Sequence, residues 1–178
     1  MKYVWVVLLV LVGALTPRAA KAQAEIYGEF SVSELTNLNK TFTPMGGTVG
    51  LLVDGPTLFH KVVVSADVQG RFVESSSLKL NGAEAGPRFS LVTKKHGITY
   101  YGEFLVGFAR LYSDGSGATG LNGSTTDSEI QLNAGLAKQV APHWDVSGEY
   151  SYAQYYALGG MFNPKTFSVG VVYHFVKR

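Results

Sequence analysis

From Ile26 onward, apolar residues alternate with small or polar ones over and over, the period-two signature of strands whose neighbouring side chains point to opposite faces of a sheet. The clearest run is the last, where Phe167, Val169, Val171, Tyr173 and Phe175 share one parity and Thr166, Ser168, Gly170, Val172 and His174 the other. Seven earlier strands follow from the same reading. Ile26, Gly28, Phe30 and Val32 oppose Tyr27, Glu29, Ser31 and Ser33, and Val49, Leu51 and Val53 oppose Thr48, Gly50, Leu52 and Asp54. A third strand sets Val62, Val64, Ala66, Val68, Gly70 and Phe72 against Val63, Ser65, Asp67, Gln69 and Arg71. The fourth carries Phe89 and Leu91, the fifth Tyr100, Phe104, Val106 and Phe108, the sixth Ile130, Leu132, Ala134 and Leu136, and the seventh Trp144, Val146, Tyr150 and Tyr152. Pro87 is expected at the very end of its strand, because a closed sheet has no free edge to excuse a missing N–H. No convincing 3.6-residue apolar spacing occurs after residue 25, so the chain reads as all-β.

The connections alternate in length. Residues 34–45, 74–84, 112–126 and 157–164 form long links rich in Asn, Gly, Ser and Thr, whereas 55–60, 94–97 and 140–143 are short. In an antiparallel up-and-down barrel this puts every long loop at one end, as in bacterial outer-membrane barrels with short periplasmic turns and long extracellular loops. Both termini are then expected in the periplasm.

Which way the apolar face points decides between a membrane barrel and a soluble one. In a soluble barrel the polar face meets water and carries many charges. Here that face is mainly Ser, Thr, Gly, Gln and Asn, and charged residues make up 16% of the chain against roughly 25% in soluble domains. The aromatic residues also fit lipid. Tyr100, Trp144, Tyr173 and Phe175 fall near the short-turn ends, and Phe30, Phe72, Tyr152 and Phe167 near the long-loop ends, which predicts two aromatic girdles. A soluble periplasmic barrel holding a small hydrophobic ligand is the competing expectation.

The first residues stand apart. Lys2, an apolar run from Tyr3 to Leu15, and small residues around Ala22 and Ala24 predict a signal peptide over 1–24, cleaved before Gln23 or Glu25, and a barrel domain over 25–178. Losing Lys2, Arg18 and Lys21 leaves 12 basic residues against 13 acidic, so the formal charge moves from +2 to −1 and nothing suggests a nucleic-acid partner. With no cysteine, disulfides and thiolate chemistry are excluded.

Gly86-Pro87-Arg88-Phe89, Leu132-Asn133-Ala134-Gly135 followed by Ala141-Pro142-His143-Trp144-Asp145-Val146, and the closing run from Phe167 to Phe175 resemble the small outer-membrane β-barrels of the OmpA transmembrane domain, OmpX and opacity-protein type. The resemblance spans nearly all of the mature chain. It implies insertion by the barrel-assembly machinery and contact with outer-membrane lipid and lipopolysaccharide. Members usually end on an aromatic residue, whereas here Val176, Lys177 and Arg178 follow Phe175.

Candidate chemistry is sparse. Glu29, Asp67, Arg88, Glu103 and Glu149 share the inward parity at about mid-height, with Arg71 above them, and predict an interior charge network in which some carboxylates hold protons or share water. About eight strands leave room for little more than side chains, so the expectation is a structural plug in place of a pore or a catalytic carboxylate pair. Gly115-Ser116-Gly117-Ala118-Thr119-Gly120 spells a dinucleotide fingerprint, but more loop follows where a helix would have to begin. His60, His96, His143 and His174 all fall at the short-turn end, with no metal-ligand spacing among them. A lipid A deacylase of the PagL type needs a serine and histidine within hydrogen-bond reach, and no His-x-Ser-Asn sequence occurs. A palmitoyl transferase of the PagP type shares the size and architecture. The reading is therefore non-enzymatic, without cofactor or metal, with a structural or surface-contact role through four extracellular loops and an unknown surface ligand. A lipid A-modifying enzyme is the alternative, and loop 112–126 is the first place to seek a partner.

Overall fold

The computed structural model describes residues 23–37, 40–58, 61–93, 97–114, 122–157 and 160–176. The predicted leader up to residue 22, the glycine-rich fingerprint at 115–120, His60 and His96 lie outside the described residues.

Among the described residues ten strands are formed: β1 (Ala24–Asn37), β2 (Lys40–Phe42), β3 (Met45–Leu58), β4 (Val62–Glu74), β5 (Leu78–Thr93), β6 (Ile98–Asp114), β7 (Asn122–Ala141), β8 (Trp144–Ala157), β9 (Gly160–Phe162) and β10 (Lys165–His174). They make eight staves. β2 and β3 both pair with β1 and are one stave interrupted at Pro44, and β9 and β10 both pair with β8 and are one stave interrupted at Pro164. A proline cannot donate to the ladder, but its carbonyl still accepts. The Ser33 N–H donates to Pro44 O (2.9 Å) and the Ala153 N–H to Pro164 O (3.0 Å), so each break keeps the hairpin in line.

Every pairing is antiparallel between chain neighbours, and β10 closes the ring on β1 from Glu25↔His174 to Glu34↔Lys165. Hydroxyls line the inner side of that seam. Ser31 Oγ lies 2.9 Å from Ser168 Oγ, and Ser33 Oγ 2.7 Å from Thr166 Oγ1.

The apolar face points outward. Val68 and Phe108 are 57% and 66% exposed, whereas Ser31, Gln69, Arg71, Gln131 and Glu149 are buried in the lumen. This is the reverse of a soluble barrel, and it removes the expectation of a soluble carrier. Among the described residues no helix is long and apolar enough to cross a membrane; the crossing is made by strands.

Two expectations need correction. The strands run well past the boundaries set by apolar alternation: β5 begins at Leu78 inside the expected 74–84 loop, and β6 and β7 stay paired up to Asp114↔Asn122 inside the expected 112–126 loop. Backbone ladders continue there without an apolar outer face to announce them. Pro87 also sits inside β5, not at its end. It pairs with Ala66 of β4, while the pairing to β6 passes from Ala85↔Val106 to Arg88↔Glu103 and skips Gly86 and Pro87. The ladder opens where the donor is missing.

Candidate functional site

The lumen is filled in layers. Nearest the short turns, the His174 ring lies between two carboxylates, with Nδ1 2.9 Å from Glu25 Oε1 and Nε2 3.1 Å from Asp145 Oδ2. These three come from β10, β1 and β8, so the trio straddles the closing seam. His143, in the turn before β8, has Nδ1 2.8 Å from His174 O and stacks on Tyr173.

The next layer is built around Arg88. Its guanidinium lies between two tyrosine rings, 4.2 Å from the Tyr101 centroid and 5.3 Å from that of Tyr27. Each ring lies across a glycine of the neighbouring strand, where a Cβ would come 2.3 Å from Tyr27 Cζ at Gly50 and 2.4 Å from Tyr101 Cζ at Gly135. Glu103 pairs with Arg88 Nε, and Asp67 Oδ2 is 3.3 Å from Nη2. Asn133 Nδ2 donates to Glu103 (2.8 Å), Ser147 Oγ to Glu29 (2.9 Å) and Ser151 Oγ to Glu149 (3.0 Å). All five sequence-predicted mid-height charges are therefore buried in one layer, though only Asp67 and Glu103 touch the arginine.

Arg71 heads a separate layer. It pairs with Glu129, donates to Gln131 Oε1 (2.7 Å) and lies 3.3 Å from Glu84 Oε1. Gln69 links the two layers, since its Nε2 donates to Glu84 (2.8 Å) while its Oε1 lies 2.8 Å from the Tyr27 hydroxyl. Sequence reasoning missed Glu84 and Glu129. The first fell inside an expected loop and the second at the margin of another, although both keep the inward parity of their strands.

Above Arg71 the lumen turns apolar, with Leu35, Val73, Leu78, Leu80, Ala109, Leu111, Tyr155 and Phe162 buried against one another. Sequence reasoning expected only polar filling. Two spaces open in the short-turn half. A vestibule of about 370 Å³ bordered by Asp54, Val63, Val92, Thr99, Gln139 and Asp145 adjoins an inner cavity of about 20 Å³ beside Arg88 and Tyr101, room for about one water.

On the outer face Phe30, Phe72, Tyr100, Trp144, Phe167 and Phe175 are exposed, while Tyr152 and Tyr173 are half-buried. Trp144, Tyr173 and Phe175 pack edge to face at the short-turn rim. Among the described residues no group of three or more His, Asp or Glu is arranged to hold a metal.

At the long-loop end the staves have unequal heights. β7 is paired with β6 from Asn122 to Lys138, but with β8 only from Glu129↔Tyr155 downward. Residues 122–128 thus have one lateral neighbour among the described residues, so β7 rises past β8 while β6 stays paired with β5 up to Leu78↔Ser113. On this β7 segment Ser124, Thr125, Thr126 and Ser128 carry small hydroxylated side chains and Asp127 a carboxylate.

The model of the outer membrane protein beta-barrel domain matches residues 6–175. No curated protein matches the sequence. Among solved structures the chain is similar to Neisserial surface protein A (TM-score 0.63, 13% identity, covering 84% of this chain and 96% of that one). It is also similar to the attachment invasion locus protein Ail of Yersinia pestis in complex with the heparin analogue sucrose octasulfate (TM-score 0.59, 18% identity, 88% and 100%). A third is the outer membrane enzyme PagL (TM-score 0.52, 17% identity, 83% and 98%). At these identities the likeness is one of fold.

Proposed function

The chain belongs to the outer-membrane β-barrel family, and from that premise we propose that it is a non-enzymatic surface-contact protein displaying hairpins outside the cell. Short turns and both termini face the periplasm, the apolar wall meets lipid and the lipid portion of lipopolysaccharide, and insertion is by the barrel-assembly machinery. The carrying observation is the β6–β7 hairpin, whose β7 arm extends past its pairing with β8, above a lumen packed with buried side chains. The long-loop half of the interior is filled by packed side chains, whereas a rigid wall with projecting hairpins offers contact surface. Two further points support the reading. His143 and His174, the histidines among the described residues, sit at the short-turn end, away from any outer-leaflet acyl chain. One structural neighbour is named for attachment and was solved with a heparin analogue.

The test uses intact cells displaying the protein, with adherence measured to immobilised heparin and to a panel of matrix proteins. Shortening the β6–β7 hairpin to a two-residue turn is expected to reduce adherence while the barrel still resists detergent and shifts on a gel only after boiling. Unchanged adherence after shortening each long hairpin in turn would remove the surface-contact reading. Loss of acyl chains from lipopolysaccharide incubated with the purified protein would favour the enzyme alternative.

A further inference from the structure

Two long side chains reach the inner face of β8 from opposite sides, and each does so across a glycine. Tyr101 of β6 lies over Gly135 of β7, where a Cβ would come 2.5 Å from its hydroxyl, and Gly135 is the direct cross-strand partner of Glu149. The Tyr101 hydroxyl is thereby aimed at Glu149. Glu29 of β1 lies over Gly170 of β10, where a Cβ would come 2.5 Å from its Cγ, and so reaches Ser147, whose Oγ donates to it at 2.9 Å. Ser151 Oγ donates to Glu149, and Asn133 of β7, the cross-strand partner of Ser151, stands beside them. All six residues are more than nine-tenths buried. Their oxygens do not satisfy one another. The Tyr101 hydroxyl and Asn133 Oδ1 have no hydrogen-bond partner, and the Asn133 amide N–H is donated away, to Glu103. Arg88, the cation of this layer, contacts Asp67 and Glu103, so Glu29 and Glu149 rest on serine hydroxyls with no basic side chain in contact among the described residues. Buried carboxylates without a positive partner are costly.

We propose that Glu29, Glu149, Asn133 Oδ1 and the Tyr101 hydroxyl hold one hard divalent cation, calcium in preference to magnesium, on the inner face of β8. Carboxylate, amide and hydroxyl oxygens, with no nitrogen or sulfur among them, are the ligands of a hard cation, and a double positive charge matches the two carboxylates that Arg88 leaves. Only two acids take part, and neutral oxygens complete the set. The donors come from four strands and are not pre-set to an octahedron, which suits calcium, with its irregular shell of about six to eight oxygens, better than magnesium. The two spaces on the short-turn side reach Tyr101 and carry Asp54 and Asp145 on their walls, so a cation is drawn in from that side. Once bound, the ion ties β8 to β1 across β10 and to β6 across β7, and its binding free energy adds to the stability of the barrel.

The probe is calcium, with terbium as its luminescent substitute, titrated into the full barrel in nanodiscs of phosphatidylcholine, whose headgroups carry no net charge. One saturable calcium site per barrel is expected, with a urea midpoint that rises with calcium and falls back on chelation. Terbium emission excited through tyrosine should appear with the same stoichiometry and be displaced by calcium more readily than by magnesium. Glu149→Gln should weaken calcium binding by about tenfold or more while the boiling-dependent gel shift persists. Tyr101→Phe keeps the ring against Arg88, removes only the hydroxyl, and should abolish most of the tyrosine-excited emission. The proposal is overturned if neither midpoint nor emission responds to saturating metal, which would leave the two carboxylates sharing a proton. It is overturned equally if the response persists in Glu149→Gln, and its loss in Asp54→Asn instead would place the ion in the vestibule. Should Glu149→Gln fail to insert, Tyr101→Phe and Glu29→Gln carry the same reading, and undiminished binding in both would end the proposal.

Discussion

Along β5 the inward side chains are Arg88 and Glu84 in the middle of the barrel and Leu80 and Leu78 toward the long-loop end, while the outward ones run the other way, from Leu91 and Phe89 to Asn81 and Lys79. β4 shows the same inversion within four residues, with Arg71 inside and Phe72 outside, then Val73 inside and Glu74 outside. The two halves of the lumen obey one rule. Where the wall meets lipid its outer parity must be apolar, so the inner parity carries polar groups that satisfy one another. Where the wall rises out of lipid the outer parity becomes polar, and the interior takes up ordinary hydrophobic packing. The height of the inversion therefore marks the upper membrane boundary.

That contrast can be attacked from either side, with stability read by urea unfolding in lipid vesicles and Trp144 fluorescence as reporter. Arg88→Met is expected to have the largest effect, about 3–5 kcal/mol, because Glu103 and Asp67 would remain buried without their cation. Leu80→Ala should cost about 2–5 kcal/mol as a cavity in the apolar half, and a loss well below 1 kcal/mol would mean that half is not packed as described. Val68→Arg, on the lipid-facing wall, should cost about 2–4 kcal/mol, whereas Asn81→Arg should be nearly neutral, which would locate the boundary between them. Gly135→Ala should cost about 1–3 kcal/mol, because the added methyl meets the Tyr101 ring.

The wall was legible in the sequence because lipid imposes one apolar parity on every strand from Ile26 to Phe175. The extensions beyond it were not, for the same reason. Leu78-Lys79-Leu80-Asn81 alternates as clearly as any strand, but its apolar residues share the parity of Glu84 and Arg88, so a search for a single apolar face discards it. Residues 122–128 have no apolar parity at all, and among the described residues only β6 holds them as strand. Within the lumen, parity alone assigned the mid-height charges to the interior. What it could not say was how they divide: Arg88 and Arg71 each gather their own acids, and Gln69, a neutral residue, joins them. The Glu25, His174 and Asp145 trio was beyond reach too, because Glu25 meets His174 only across the seam between the first and last strands.

That seam gives the trio a place in time as well as in space. Ser31 and Ser168 touch across 137 positions of sequence, the kind of distant pairing whose loop entropy makes it late to form. Glu25 and His174 come from opposite ends of the barrel domain, so a label at Glu25 read against one at Asp145 would act as a closure clock for biogenesis, signalling the moment the cylinder shuts.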